Sequence, residues 1–335
     1  MDTRNKPDVE REFSVRDALR RSLSANTRRA YRNGWRKFVA YCEEVGRKPM
    51  AATPADVADF IVRLASQPRS PRATTRSREP LSVATIRVYL AAIKRKYRER
   101  NRPSPVDDPR VVAVLRGLGR RWDRRERQVK ALREDEVGRI LACCDEQAES
   151  GGRGLIAVRD AALVAIGFAA ALRRSELCAL LFEDIEFLSA SRKPSGMFVH
   201  IRRSKTDQFG RGQRVAVPEG RLLRPVSRLR RWLALSGIEW GPLFQTMRRG
   251  GHVQGRPLHP TDVARLVKRY VAAIGLDPAH YSGHSLRAGF VTSAAAHGAR
   301  LDKIMEVTRH TSPGMVMRYI RHADAFEDHA GAAFL

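Results

Sequence analysis

The chain has 335 residues, enough for two domains that each bury a core of their own. Its 63 Lys+Arg against 36 Asp+Glu give a formal net charge of +27, which repels itself in a compact fold unless a polyanion neutralises it, so nucleic acid is the leading partner. There is no run of about 18 apolar residues and no charged-then-apolar opening segment, which argues against membrane insertion and leads to the expectation of a cytoplasmic, nucleoid-associated protein.

The four cysteines, Cys42, Cys143, Cys144 and Cys178, show no C-x-x-C spacing and no His pair suited to zinc. They read as buried or half-buried free thiols, since Cys behaves as a small hydrophobe. No metal or other cofactor is expected.

Residues 1–20 are charged and aperiodic and predict a frayed tail. After Ser24, Tyr31, Trp35, Phe38 and Cys42 recur at steps of four, three and four, one face of an amphipathic helix that ends near Gly46. Thr53-Pro54-Ala55-Asp56 supplies an N-cap, a proline at the first helical position and an acid in the first turn, opening a helix through Val57, Phe60, Ile61 and Leu64.

Gln67 to Glu79 is rich in Pro, Ser, Thr and Arg and reads as a cationic loop. Ser82 caps the next helix, with Ile86, Leu90, Ile93 and Tyr97 inward. From residue 67 to 102 there are eleven Lys/Arg against Glu79 and Glu99, a net of +9. A single charged helix face is often only solvated, but here a basic loop, a basic helix and the following helix, Asp108 to about Arg127, adjoin. Arg69, Arg72, Arg76, Arg87, Lys94, Arg95, Lys96, Arg120 and Arg121 are the candidate contacts to a DNA backbone.

Residues 128–133 read as a linker. A helix follows from about Glu134, with Val137, Ile140, Leu141 and Cys144 inward, then a Gly-rich turn at 149–154. Arg159 to Leu172 has no charge after Asp160 and predicts a central buried helix running into Ala171-Leu172-Arg173-Arg174-Ser175-Glu176-Leu177. Charges hard against a buried helix need partners or a function.

Met197–Arg203 and Gln213–Val217 read as two strands of a hairpin with Lys205 at its tip. Leu222–Leu235 is a basic amphipathic helix and Gly241-Pro242-Leu243-Phe244 a turn. Thr261-Asp262 opens a helix through Val263, Leu266, Val267 and Tyr270, and Gly283-His284 opens another. His284 and Arg287, three apart, share one side of that helix. His310 precedes Tyr319 by nine residues in a segment read as two short helices broken at Pro313-Gly314. There is no repeat, no P-loop and no G-x-G-x-x-G.

Arg173 with Glu176, Lys205 on a hairpin, His284 with Arg287, His310 and Tyr319 therefore occur in that order. In this the sequence resembles the tyrosine recombinases, or phage-integrase family, and among them the two-domain, Cre- and Xer-like members. The resemblance rests on the 171–177 segment, Ser204-Lys205-Thr206-Asp207, His284-Ser285-Leu286-Arg287 and the Tyr319 segment. It spans most of residues 130–320 and reaches the N-terminal region only in general character. Each motif alone is weak; their joint order is what is specific.

The resemblance implies a mainly α protein with the tyrosine-recombinase fold. A helical core-DNA-binding domain would span 21–127. A mostly α catalytic domain with a small antiparallel sheet would span 134–335. Tyr319 would attack a DNA phosphodiester, giving a 3'-phosphotyrosyl link. Arg173 and Arg287 would hold the non-bridging oxygens, with Arg174 the neighbouring alternative to Arg173. Lys205 would protonate the leaving 5'-oxygen. His284 would accept the Tyr319 proton or donate to phosphate, His310 would hydrogen-bond the phosphate, and Glu176 would orient the arginine or histidine. The apolar end, Ala330 to Leu335, would dock into a neighbouring subunit of a tetramer holding two double-stranded DNA sites. Two alternatives stay open: a type IB topoisomerase-like relaxing enzyme, and a catalytically silent DNA-binding regulator.

Overall fold

The computed structural model describes residues 22–66, 80–121, 129–150, 154–189, 195–202, 212–248 and 251–323. The predicted N-terminal tail, Arg69, Arg72 and Arg76 in the cationic loop, Lys205 and the apolar C-terminal end lie outside the described residues. The chain divides into two compact units, Met1–Arg127 and Gln128–Leu335.

In the first unit the helices are α1 (Ala25–Glu44), α2 (Pro54–Ser66), α3 (Val83–Arg98) and α4 (Pro109–Arg121). Local chemistry sets their starts. Ser24 and Ser82 each accept a backbone N–H three residues on, and Asp56 takes the Thr53 N–H at 2.7 Å. The apolar faces close on one core, with Phe38 of α1 edge-on to Phe60 of α2 at 5.2 Å between centroids and Ile86, Leu90 and Ile93 of α3 buried beside them. Gly34 lets α1 and α3 touch, because a Cβ there would lie 2.7 Å from the Tyr89 ring.

The second unit contains α5 (Glu134–Glu149), α6 (Gly154–Ala169), α7 (Arg174–Ala179), β1 (Ile185–Phe187), β2 (Gly196–Ile201), β3 (Gln213–Pro218), α8 (Pro225–Ser236), β4 (Gln245–Met247), β5 (Val253–Pro257), α9 (Pro260–Ala273), α10 (Ser285–Ala296), α11 (Leu301–Thr308) and α12 (Pro313–Ala323). The chain is thus mainly α, with β1-β2-β3 forming one antiparallel sheet and β4-β5 a second. Strands β1, β4 and β5 escaped the sequence reading: three to five residues are too short to show alternation.

Helix α6 is buried along nearly its whole length. It starts at Gly154, before the expected Arg159, and stops at Ala169, short of Leu172. The stop is a Schellman arrangement, with Leu172 N–H on Gly167 O and Ala171 N–H on Phe168 O. Ala171 takes the left-handed conformation there, φ 47°. The two charges inside α6 are paired: Asp160, fully buried, accepts from Arg159 at 2.7 Å, from Arg269 and from Tyr270. Helix α8 starts at Pro225 rather than Leu222, because Arg224 is left-handed (φ 46°) and proline is suited to the first helical position. Leu222 consequently stays exposed.

Residues 130–134 are strapped to α10 and to the turn Pro278–His280 that precedes it. Lys130 N–H donates to His280 O, Leu132 N–H to Ser285 O and Glu134 N–H to Ser293 Oγ. Leu132 is fully buried in the second core. Close approach is possible only because residue 289 is glycine: a Cβ there would lie 1.7 Å from Leu132 O. Among the described residues no helix is long and apolar enough to cross a membrane. Cys42, Cys144 and Cys178 are buried free thiols and Cys143 is half-buried; burial pushes Cys144 and Cys178 up to about 12.

Candidate active site

The site forms where the end of α6, the start of α7, the start of α10 and the α11–α12 turn meet. The reversal at Ala171 turns the chain so that Arg173 becomes the N-cap residue of α7. Its backbone N–H donates to Glu176 Oε2 at 2.9 Å and its guanidinium Nη1 to Glu176 Oε1 at 2.6 Å. Glu176 is buried, and Arg173 half-buried. Burial opposes ionisation of Glu176, but Arg309 and then the Arg173 N–H and guanidinium outweigh it, holding the carboxyl below its ordinary range. The neighbouring alternative, Arg174, is exposed, and its stem crosses Gly283, where a Cβ would lie 2.3 Å from Arg174 Cδ.

His284 and Arg287 lie at the start of α10, Arg287 fully buried. Its Nη1 donates to Ala171 O at 2.7 Å and its Nη2 to Thr308 O. The end of α6, exposed as carbonyls by the Schellman turn, is thus one anchor of the guanidinium. Burial pushes Arg287 down to about 9, with Arg173 and then Arg309 adding to the effect. That clustering of cations creates a positive potential that an anion would relieve.

Helix α12 packs through Val316 and Tyr319 on Val291 of α10 and Ile304 of α11. This seats the Tyr319 hydroxyl 2.9 Å from His284 Nε2, a separation suited to proton transfer. Thr308 Oγ1 donates to Ile304 O at 2.7 Å, so at its 2.8 Å contact with His310 Nδ1 the imidazole is the donor. That leaves Nε2 without a proton in the neutral ring. Burial pushes His310 down to about 4, helped by Arg287 and Arg173.

Six sequence-selected residues are described here. Arg173 and Glu176 are bonded to each other, as are His284 and Tyr319; Arg287 joins the 171 turn to residue 308, and His310 follows. Lys205 lies outside the described residues, between β2 and β3, whose register pairs Ile201 with Gln213.

Sequence reasoning missed Arg309. It is buried and takes a left-handed backbone, φ 58°. It donates to Glu176 Oε2 at 2.9 Å and to the carbonyls of Ala170, Ala171 and Val307. Nothing in a Thr-Arg-His tripeptide distinguishes it from a surface arginine.

In the first unit Arg87, Arg120 and Arg121 are exposed. Lys94 pairs with Asp107 at 2.6 Å, and Arg95 and Lys96 both pair with Glu99 at 2.8 Å. Such surface pairs are worth about 0.2–1 kcal/mol each. Among the described residues no group of three or more His, Cys, Asp or Glu could hold a metal ion.

The sequence matches the Phage integrase family over residues 130–325 and the Phage integrase, N-terminal SAM-like domain over residues 18–102. An integrase/recombinase xerD homolog of Selenomonas ruminantium is 32% identical over 93% of this chain and 86% of its own length. The recombinase cre of Escherichia phage P1 is 26% identical over 91% of this chain and 87% of its own. Among solved structures, the Tn1549 transposon integrase in complex with transposon right end DNA aligns with a TM-score of 0.57 at 15% identity, over 91% of this chain and 92% of its own. The XerH site-specific recombinase bound to a palindromic difH substrate aligns with a TM-score of 0.56 at 18% identity, over 84% of this chain and 73% of its own. These two show a common fold. With two family models covering both units and a relative matched over nearly its full length, the chain belongs to the phage integrase family.

Proposed function

We propose that this chain is a site-specific DNA recombinase that breaks and rejoins strands through a 3'-phosphotyrosyl intermediate. The observation that carries the reading is the 2.9 Å contact between the Tyr319 hydroxyl and His284 Nε2, beside the guanidinium groups of Arg173 and Arg287. Tyr319 loses its proton to His284 as its oxygen attacks the phosphorus. Arg173 and Arg287 neutralise the non-bridging oxygens, the charge work that a metal does in other phosphoryl-transfer sites. Lys205 gives its proton to the leaving 5'-oxygen. The second strand then uses its 5'-hydroxyl to reverse the step, conserving the bond energy.

His310 acts on the phosphate through Nε2. In the neutral ring that nitrogen can only accept, so binding the phosphodiester anion brings a proton with it and turns Nε2 into a donor. Glu176 holds Arg173 in place. The basic residues Arg69, Arg72, Arg76, Arg87, Lys94, Arg95, Lys96, Arg120 and Arg121 grip the backbone of a double-stranded core site. Four copies on two duplexes, joined by the apolar C-terminal end, complete strand exchange. The domain limits 21–127 and 134–335 belong to the same proposal, with residues 130–133 of the expected linker packed onto the second domain.

The test is covalent trapping on a nicked substrate carrying the DNA site recovered by binding selection. Tyr319→Phe should abolish the covalent adduct while leaving site binding within about twofold, since only one hydroxyl is removed. Loss of binding together with the adduct would make Tyr319 structural. Relaxation of supercoiled DNA without a defined site would favour the topoisomerase-like alternative, and no adduct from the wild-type chain would favour the silent regulator.

A further inference from the structure

We infer that Arg309 is a positioning residue that ties the two phosphate-holding arginines into one rigid unit, an inference that rests on the recombinase reading above. Its guanidinium reaches both of them by separate routes. Through Nη2 it bonds Glu176 Oε2 at 2.9 Å, and Glu176 Oε1 in turn holds Arg173 at 2.6 Å. The same Nη2 lies 3.3 Å from Ala171 O, which also accepts Arg287 Nη1 at 2.7 Å. Nη1 bonds Ala170 O and Val307 O, so the C-terminal end of α6 is cross-linked to the end of α11.

Two features show that this placement runs against local preference. The backbone at 309 is left-handed, φ 58°, a conformation that is unfavourable for a non-glycine residue and that glycine adopts freely. The side chain is only 2% exposed, and its Nε has no hydrogen-bond partner among the described residues, a further penalty. A surface role would require neither. The compensating interactions are those to Glu176 and the three carbonyls, and these touch the arginine anchors. His310 is the next residue, so the turn that Arg309 stabilises also delivers the imidazole to the site.

Without Arg309, among the described residues Glu176 keeps only its Arg173 contacts, and the Ala171 carbonyl keeps only Arg287. The carboxylate is then held from the Arg173 side alone, and the spacing of the two guanidiniums is no longer set by a shared partner. A misplacement of about 1 Å in a phosphoryl-transfer site costs up to about 100-fold in rate.

The experiment uses the full chain and single-turnover adduct formation on the nicked substrate. Arg309→Gly removes the guanidinium while suiting the left-handed backbone, so the substitution adds no backbone strain. Expected are site binding within about threefold of wild type and a rate loss of about 30- to 100-fold. Arg309→Lys keeps a charge beside Glu176 but not the fork to the carbonyls, and should recover part of the rate. Adding Glu176→Gln to Arg309→Gly should lower the rate by less than about threefold further, because both changes release the same anchor. The inference is overturned if Arg309→Gly cleaves within threefold of wild type, if its loss equals the unfolded fraction measured by circular dichroism, or if the two changes multiply. If Arg309→Gly fails to fold, Arg309→Lys decides: unchanged rate overturns the inference, and a lower rate at unchanged binding supports it. Failure of the recombinase reading looks different, since the wild-type chain would then form no adduct at all.

Discussion

Gly289→Ala tests whether the strap formed by residues 130–134 is part of the second unit's stability. A Cβ at 289 would lie 1.7 Å from Leu132 O, where ordinary contact begins at 3.4 Å, so the strap must retreat by about that difference. The blocking atom is backbone, and the neighbouring strap atoms are held by Lys130 N–H to His280 O and Leu132 N–H to Ser285 O. Loss of one of these bonds costs about 1 kcal/mol, and lifting the fully buried Leu132 side chain partly into water costs about 1–2 kcal/mol. The better helix propensity of alanine returns about 1 kcal/mol. The net expectation is destabilisation by about 1–2 kcal/mol, read as a lower urea midpoint for the second unit. Gly138→Ala in α5 is the matched control: nothing among the described residues lies within 4 Å of its Cβ, so it should stabilise by about 0.5–1 kcal/mol. Equal midpoints for Gly289→Ala and Gly138→Ala would refute the reasoning. Because Ser285 adjoins His284, the same variant should also slow adduct formation in its folded fraction.

Two further outcomes are expected. Lys205→Ala should slow cleavage of the ordinary 5'-oxygen substrate but spare a 5'-thio substrate, whose better leaving group needs no proton; equal slowing of both would remove Lys205 as the acid. In the folded chain His310 takes a proton only near pH 4, whereas in the unfolded chain it does so at its ordinary 6.5. Acidification between those values therefore favours unfolding, and below pH 4 the loss is complete. His310→Gln should flatten the fall in urea midpoint between pH 6.5 and 4; an unchanged slope would mean that other groups carry it.

Much of the fold was legible because helix periodicity and capping are local. Ser24, Ser82 and the Thr53–Asp56 pair announce helix starts from adjacent residues, and each start is observed where those residues stand. Boundaries set by backbone reversals were less legible. Ala171 and Arg224 adopt left-handed conformations that neither residue type advertises, which moved the end of α6 and the start of α8. Gly289 reads as a weak spot in a helix until Leu132, far away in sequence, is seen pressed against it.

By itself the sequence determined the chemical inventory: a +27 chain with Arg173, Glu176, Lys205, His284, Arg287, His310 and Tyr319 in family order, and amphipathic stripes enough for two cores. Those are properties of residue type and spacing. Only the tertiary structure decided which groups share atoms: that Tyr319 meets His284, that Arg287 and Arg309 share the Ala171 carbonyl, and that Glu176 lies between two guanidiniums. Arg309 and Glu176 stand 133 positions apart. Periodicity records that a face is buried, but a buried charge is matched to its partner only when helices from distant parts of the chain pack together.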